Sequence, residues 1–540
     1  MTPAADALVI GAGPNGLVAA NILADAGWRV IVLEAEDEPG GAVRSAETCE
    51  PGFVHDRFSS FYPFTAISAP LQRFDLGSYG LRWRRAPAPL AHVRPDGTAA
   101  LLTQDLEETV QRLDAEARGD GDAWRVLMDR WRRLEPGIAR AFFTPFPPLL
   151  GAAQVALATD PRDLVRLARF MALPARRLTD EQFAGRDGPD LLCGLALHAN
   201  LAPEVVGSGA FGWIMCGLAQ VHGLPVPEGG ASMLSRALVR RLEDRGGRVI
   251  CATPAERVLI SGGRARGVRS ADGREWTAAR AVLADVEARA LYLGLIGRER
   301  LSRRVAADLA RFQRDASTVK VDWTLDAPIP WSATETSRAG TVHLAAGVDE
   351  LSRTMNELAR ALVPRDPFLV MGQYAVTDPT RQPAGRETAW AYTHVPQQPR
   401  GDAGGDLTGR WTSGELEAFV ARIEARVEAC APGFTKSIRR RQVAGPQDLQ
   451  AADRSLVGGD INGGTAELHQ LGVFRPIPAQ LGRPATPVRD LYLASASAHP
   501  SGGVHGAPGA IAARAALLRT TPLAAAPGLS GRRRGRRRTR

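Results

Sequence analysis

The chain of 540 residues carries several clusters whose residue types and spacing could do chemistry. The first is Gly11-Ala12-Gly13-Pro14-Asn15-Gly16, directly after the apolar run Ala7 to Ile10. In such a turn the first glycine permits the bend and the second lets backbone approach a pyrophosphate. The third lets the following helix pack on the strand. The helix start adds free N–H groups and partial positive charge for phosphates. Pro14 fits there, because its missing N–H would have had no partner anyway. Glu34 stands 18 residues beyond Gly16 and closes a second buried run, Arg29 to Leu33, where a carboxylate can accept from a ribose hydroxyl. These features together predict a bound dinucleotide.

Directly after Glu34 comes Ala35-Glu36-Asp37-Glu38-Pro39-Gly40-Gly41-Ala42-Val43-Arg44. The glycine pair lets another backbone segment approach the pyrophosphate, and Arg44 supplies a cation. This segment resembles the signature of FAD enzymes of the amine oxidase and phytoene desaturase superfamily, with one departure. The family's arginine often follows the glycine pair directly, whereas Ala42 does here. The far end of the chain agrees: Leu491-Tyr492-Leu493 leads to a turn from His499 to Gly509 and then a helix. Gly502, Gly503 and Val504 lie in that turn, where backbone N–H groups and a helix start could stabilise charge on the N1–C2 edge of a reduced flavin.

On these segments, with Pro225 to Gly230, Val319 to Leu325 and Gly458 to Gly464, the chain is similar to bacterial phytoene dehydrogenase-like oxidoreductases over most of its length. The resemblance implies FAD and a meander strand around Val258 that passes the adenine through its backbone. It also implies a role for Lys320. Ser317 to Trp323, followed by Pro330-Trp331, is similar to the amine oxidase strand whose lysine holds a water against flavin N5. The chain has only two lysines, Lys320 and Lys436, so keeping one here fits a need for a compact ammonium. The plainer reading is an exposed or ion-paired strand lysine. His499 is a candidate general acid or base by residue type, as are His505 and His222. Neither H-E-x-x-H nor G-x-S-x-G is present, so no metal is expected.

The elements that must position these residues read as strand, turn, helix, strand at the start. Later come a helix near Met233 to Arg245 and a meander from Val249 to Ser270. From Thr103 to Leu178 the texture is helical and Arg-rich, broken by the uncharged stretch Ala141 to Thr159. In the desaturases such a region docks on a bilayer and admits a lipid-like substrate. The other reading is an apolar substrate-domain core. The expected fold is α/β, a discontinuous Rossmann-type FAD-binding domain with an inserted α+β substrate domain. The FAD-binding parts are 1–75, 225–295 and 451–520, the substrate parts are 76–224 and 296–450, and 521–540 is a disordered Arg-rich tail.

Composition bounds the rest. Hydrophobic residues at 44% and charged residues at 23% are those of a soluble globular chain. The net charge of +9 falls to +2 once the seven arginines between Arg532 and Arg540 are set aside, so no nucleic-acid partner is expected. The tail could touch anionic lipid, and the alternative is a solvated end. Five scattered cysteines exclude a disulfide framework and read as small core residues. An apolar strand within ten residues of the start leaves no room for a signal peptide, so the cytoplasm is expected, with membrane association through the uncharged lobe. The expected reaction is hydride transfer between a substrate carbon and flavin N5, desaturating or otherwise oxidising an apolar, isoprenoid-like molecule. An amine oxidase-type reaction and a flavin-bound interaction protein without turnover are the alternatives.

Overall fold

The computed structural model describes residues 5–520, and the expectation placed on the tail lies outside them. Two seven-stranded sheets organise the chain. The first begins with strand β1, Ala5–Ile10, paired parallel with β2, Val30–Leu33, so that Ile10 lies opposite Leu33. Both are continuous apolar runs, the pattern of strands covered on two faces, and every residue but Asp6 is buried. Between them runs helix α1, Pro14–Asp25, with Pro14 in its first turn. Nine of its twelve residues are buried, because it lies between the helices Ser232–Asp244 and Ala507–Thr520.

The strand Arg248–Ile250 extends the sheet beyond β2. On the other side Glu275–Ala284 changes partners along its length. Its first residues pair antiparallel with Arg264–Ser270, and its later ones pair parallel with β1. Leu491–Leu493 pairs parallel with its last three residues. The start, middle and end of the chain thus share one sheet.

The second sheet runs in the order Ile438–Ala444, Ser317–Leu325, Glu387–Val395, Leu369–Gln373, Ala339–Leu344, Ala88–Val93, Ala99–Leu102. Only the contact between Ala339–Leu344 and Ala88–Val93 is parallel. One face packs on the helix Ser413–Cys430 through residues such as Val321, Trp323 and Phe419. The other faces a helical block whose core includes Trp124, Trp131 and Trp213.

The stretch read as helical resolves into Leu106–Glu116, Asp120–Phe142, Leu149–Leu157, Leu164–Ala172 and Ala175–Gln182. The third of these corrects the reading of an apolar core. Only Gly151 is buried in it, while Leu149, Leu150 and Leu157 are exposed. Its contact with Asp120–Phe142 is a close approach at Gly137 and Gly151, which turns one narrow edge inward. The cysteines also divide: Cys193, Cys216 and Cys430 are buried, but Cys49 and Cys251 are only partly so. No helix among the described residues is long and apolar enough to cross a membrane.

Candidate functional site

A cavity of about 480 Å³ opens at the carboxyl ends of β1 and β2 and reaches the face of the second sheet. Gly11, Gly13, Pro14 and Asn15 form its wall at one end. Gly11 has φ +91°, which a side chain would resist. Gly16 stands behind the wall, and a Cβ there would lie 2.2 Å from the Gly11 carbonyl oxygen. Strand and helix therefore meet at van der Waals distance only because Gly16 has no side chain.

Glu34 and Ala35 continue the wall. The Glu34 carboxylate accepts from the N–H groups of Ala12 at 2.6 Å and Glu36 at 3.0 Å, and burial raises its pKa. Each carboxylate oxygen accepts more than one bond, so the group can still meet a hydroxyl. Gly40 turns behind the surface, its N–H donating to the Ala12 carbonyl, while Gly41 and Arg44 face the cavity. Arg44 is buried and donates from Nε to the Gly41 carbonyl at 2.9 Å and from Nη2 to the Ala452 carbonyl at 2.5 Å. Its Nη1 has only a 3.9 Å contact with Glu38. Gly502, Gly503 and Val504 form the opposite wall.

Two expected residues lie elsewhere. Val258 sits in the middle of the strand Ala255–Ser261 with its side chain in the core, so that Pro254 and Ala255, where the strand begins, line the cavity instead. His499 is outside the cavity wall. It packs edge-on against Phe146, ring centroids 5.8 Å apart, and burial pushes its pKa down to about 4. The turn presents Ser501 to Val504 to the cavity while His499 points the other way. His505 is fully buried and structural: its Nδ1 accepts from the Ala507 N–H at 3.1 Å, leaving Nε2 to donate to the Gly502 carbonyl at 3.2 Å. His222 bonds Glu135 at 2.6 Å, away from the cavity.

Lys320 lines the cavity, is buried, and donates from Nζ to Asp322 on the same strand. It is ion-paired, as the plainer reading had it, but buried rather than exposed, and it faces the cavity.

Several residues at the site escaped sequence reasoning. Asp285 directly follows Glu275–Ala284, accepts the Gly16 N–H at 2.7 Å, and lines the cavity beside the glycine turn. Burial pushes its pKa up to about 7, and Asp453 and Glu34 add to the rise. A signal was present: an apolar run ending in a carboxylate, the pattern already used for Glu34. Arg475 is fully buried and donates to the backbone carbonyls of Asn462, Gly463, Thr465 and Ala496. It ties together two loops that wall the cavity, and burial lowers its pKa to about 10.

The far end of the cavity is aromatic, with Phe61, Phe64, Phe142, Phe211, Trp390 and Tyr392. Trp390 and Tyr392 project from one face of Glu387–Val395 and stack with centroids 6.0 Å apart and planes 10° from parallel. Trp390 is held by its Nε1 donating to Tyr374 Oη at 3.1 Å, and that hydroxyl donates to Asp56 at 2.7 Å. Asp56 in turn pairs with the buried Arg381 at 2.8 Å.

A parallel sheet with a glycine turn, a carboxylate at the end of β2 and an aromatic chamber against a second sheet defines a dinucleotide-dependent oxidoreductase class. Residues 15–297 match the model of the flavin containing amine oxidoreductase family, and the chain belongs to that family. Its cofactor is FAD. The walls fit that group: the Asn15 Oδ1 is buried without a partner at the first turn of α1, beside the glycines and Glu34.

The chain is 28% identical over 561 residues to mouse pyridine nucleotide-disulfide oxidoreductase domain-containing protein 2, covering 95% of this chain and 93% of that protein. It is 25% identical over 551 residues to the neurosporene-forming phytoene desaturase of Cereibacter sphaeroides, covering 97% of each. Its fold is similar to that of wild-type putrescine oxidase bound to putrescine, with a TM-score of 0.59 at 16% identity over 96% of this chain and 99% of the other.

Proposed function

We propose that this protein oxidises an apolar, isoprenoid- or polyene-like small molecule by hydride transfer from a substrate carbon to FAD. The observation that carries the reading is the single cavity joining the glycine turn to an aromatic, nearly uncharged chamber, with Lys320 of the second sheet in its wall. FAD supplies the hydride acceptor, its N5. Gly11 to Asn15, Glu34, Ala35, Gly41, Arg44 and Gly502 to Val504 are the residues that would hold it. The aromatic side chains exclude water and orient the substrate by stacking and edge contacts. Lys320 places a buried ammonium, fixed by Asp322, at the same wall. The architecture supports a discontinuous Rossmann-type FAD-binding domain, 1–75, 225–295 and 451–520, with an α+β substrate domain inserted as 76–224 and 296–450.

A contact with lipid surfaces accompanies this reading. Leu149, Leu150, Leu157 and Val165 are exposed on successive helices, an apolar surface of the kind that lies in a membrane interface, with the ion-paired Arg166 and Arg169 beside it. One observation favours an amine substrate instead, the pair of Trp390 and Tyr392 in the cavity wall, on whose ring faces a cationic or amino group could rest.

Anaerobic visible spectroscopy of the FAD-loaded protein tests the reading. Bleaching by polyenes and not by primary amines supports it. Bleaching by amines alone moves the assignment to the second reading, and bleaching by NADH or NADPH reverses the direction of electron flow. A preparation that holds no flavin and takes up none refutes all of them.

A further inference from the structure

Four of the nine histidines gather at the aromatic end of the cavity: His92, His198, His343 and His394. Strand register explains part of this. Lys320, Tyr392, Val370, His343 and His92 are partnered in sequence across five adjacent strands, so they form one row on one face of the second sheet. His394 follows Tyr392 on the same face, with ring centroids 5.6 Å apart. His198, from the short turn Leu197–Ala199 above the sheet, reaches down to the row.

His198 lines the cavity, and its Nε2 lies 2.6 Å from the Nε2 of His343. That contact holds one proton between two nitrogens and fixes the plane of the His198 ring. Room for the His343 ring comes from Gly194, where a Cβ would lie 2.5 Å from its Nδ1. The Nδ1 atoms of His343 and His92 are buried without partners, and no group of three or more such side chains among the described residues is arranged to hold a metal.

With Nε2 committed, His198 has one polar atom left, Nδ1, and among the described residues nothing bonds it. The cavity that His198 lines also has Phe211, Met215, Trp390 and Tyr392 in its wall, with Thr318 and Lys320. A polar atom in such a chamber without a partner disfavours any occupant that cannot hydrogen-bond to it and favours one that can. The tautomers widen the choice. When His198 donates through Nε2 to His343, its Nδ1 is an acceptor and meets a hydroxyl hydrogen. When His343 donates instead, Nδ1 carries the proton and meets a carbonyl or hydroxyl oxygen.

We infer that the cavity selects an apolar molecule bearing one hydroxyl or carbonyl oxygen, which His198 binds and His343 positions it to bind. This deepens the proposed function and rests on the aromatic chamber being the substrate site.

Calorimetric binding of cyclohexanol and methylcyclohexane to the FAD-loaded protein tests it. The ratio of their two dissociation constants isolates the oxygen from the ring. In His198→Leu the preference for the alcohol should fall about tenfold while methylcyclohexane binds at least as well, the size of one neutral hydrogen bond. His198→Gln, whose amide both donates and accepts, should recover most of it. His343→Phe, which leaves His198 in place but releases its ring, should lose the preference as His198→Leu does. Flavin absorbance of each variant reports an intact fold. An unchanged ratio in His198→Leu overturns the inference and leaves the apolar chamber standing. Failure of both ligands to bind the wild type overturns the chamber and the inference with it.

Discussion

Replacing Asp285 by Asn should make the protein more stable, by an amount that grows as pH rises from the unfolded pKa of the carboxyl to its folded one and is complete above the latter. Asp285 is held beside the glycine turn with its carboxylate on the Gly16 N–H at 2.7 Å, and its native pKa is raised from 3.8 to about 7. An acid whose pKa is raised on folding favours the native state while it is protonated. That advantage is complete below the unfolded pKa and is lost as pH rises through the folded one. Between pH 5.5 and 8.5 the wild type gives up the part of the shift lying above 5.5, about 1.5 units, or about 2 kcal/mol. Asn keeps the shape and the oxygen that accepts from Gly16 but carries no charge. The stabilisation by Asp285→Asn should therefore be about 2 kcal/mol greater at pH 8.5 than at pH 5.5. An unfolding entropy of about 2.1 cal/mol/K per residue turns this into a difference of roughly 2 °C in midpoint for 540 residues. Calorimetric scans of FAD-loaded wild type and variant at the two pH values measure it. Equal shifts at both would show that Asp285 is not carrying a buried charge, and a lower midpoint at pH 8.5 would refute the reasoning outright.

Lys320→Met should retain FAD but leave the Asp322 carboxylate buried without its cation, a loss of about 3–5 kcal/mol seen as a lower midpoint. Adding Asp322→Leu should restore the midpoint, while flavin reduction in stopped flow stays slow in both variants if Lys320 serves the reaction. Gly16→Ala places a Cβ 2.2 Å from the backbone carbonyl oxygen of Gly11 in the glycine turn, so the turn must shift and FAD retention on purification should be lost. Gly27→Ala, which meets nothing within 4 Å, should cost only the strain of its positive φ and keep the cofactor. Replacing Leu150, Leu157 and Val165 with Ser should abolish sedimentation with anionic vesicles without changing flavin content, and sedimentation of the triple variant at the wild-type level would remove the lipid contact.

The nucleotide end of the site was legible because its signals are local. Gly11 to Gly16, Glu34 and Gly40 to Arg44 lie within one stretch of chain, and their spacing alone states what the backbone must do. The opposite wall at Gly502 to Val504 was legible for the same reason. Asp285 was missed although it ends an apolar strand as Glu34 does, because nothing local shows that Glu275–Ala284 lies beside β1. The aromatic chamber was beyond reach in a stronger sense. Phe61, from a loop, and Phe142, Phe211 and Trp390, from three separate elements, are brought together only by the packing of the helical block on the second sheet. His499 misled because position near a glycine turn says nothing about which way a side chain points. His198 carried no motif at all, and its significance comes from a strand register that pairs His343 with His92.

The partner-changing strand Glu275–Ala284 has a consequence in time. Its last three residues pair with Leu491–Leu493, and β1, its other neighbour, is complete by Ile10. During synthesis at about 5–20 residues per second, roughly 25–100 s separate the emergence of β1 from that of its sheet's final strand. The Gly502–Val504 wall follows later still. From the emergence of Ala284 to that of Leu491, roughly 10–40 s at this rate, the nascent chain exposes the unsatisfied backbone of Val282–Ala284 and an apolar edge beside it, a template for wrong pairing. Cofactor loading therefore waits on residues far down the chain, and a chain cut short before residue 491 lacks the Ser495–Ser497 and Ser501–Val504 wall of its cofactor cleft.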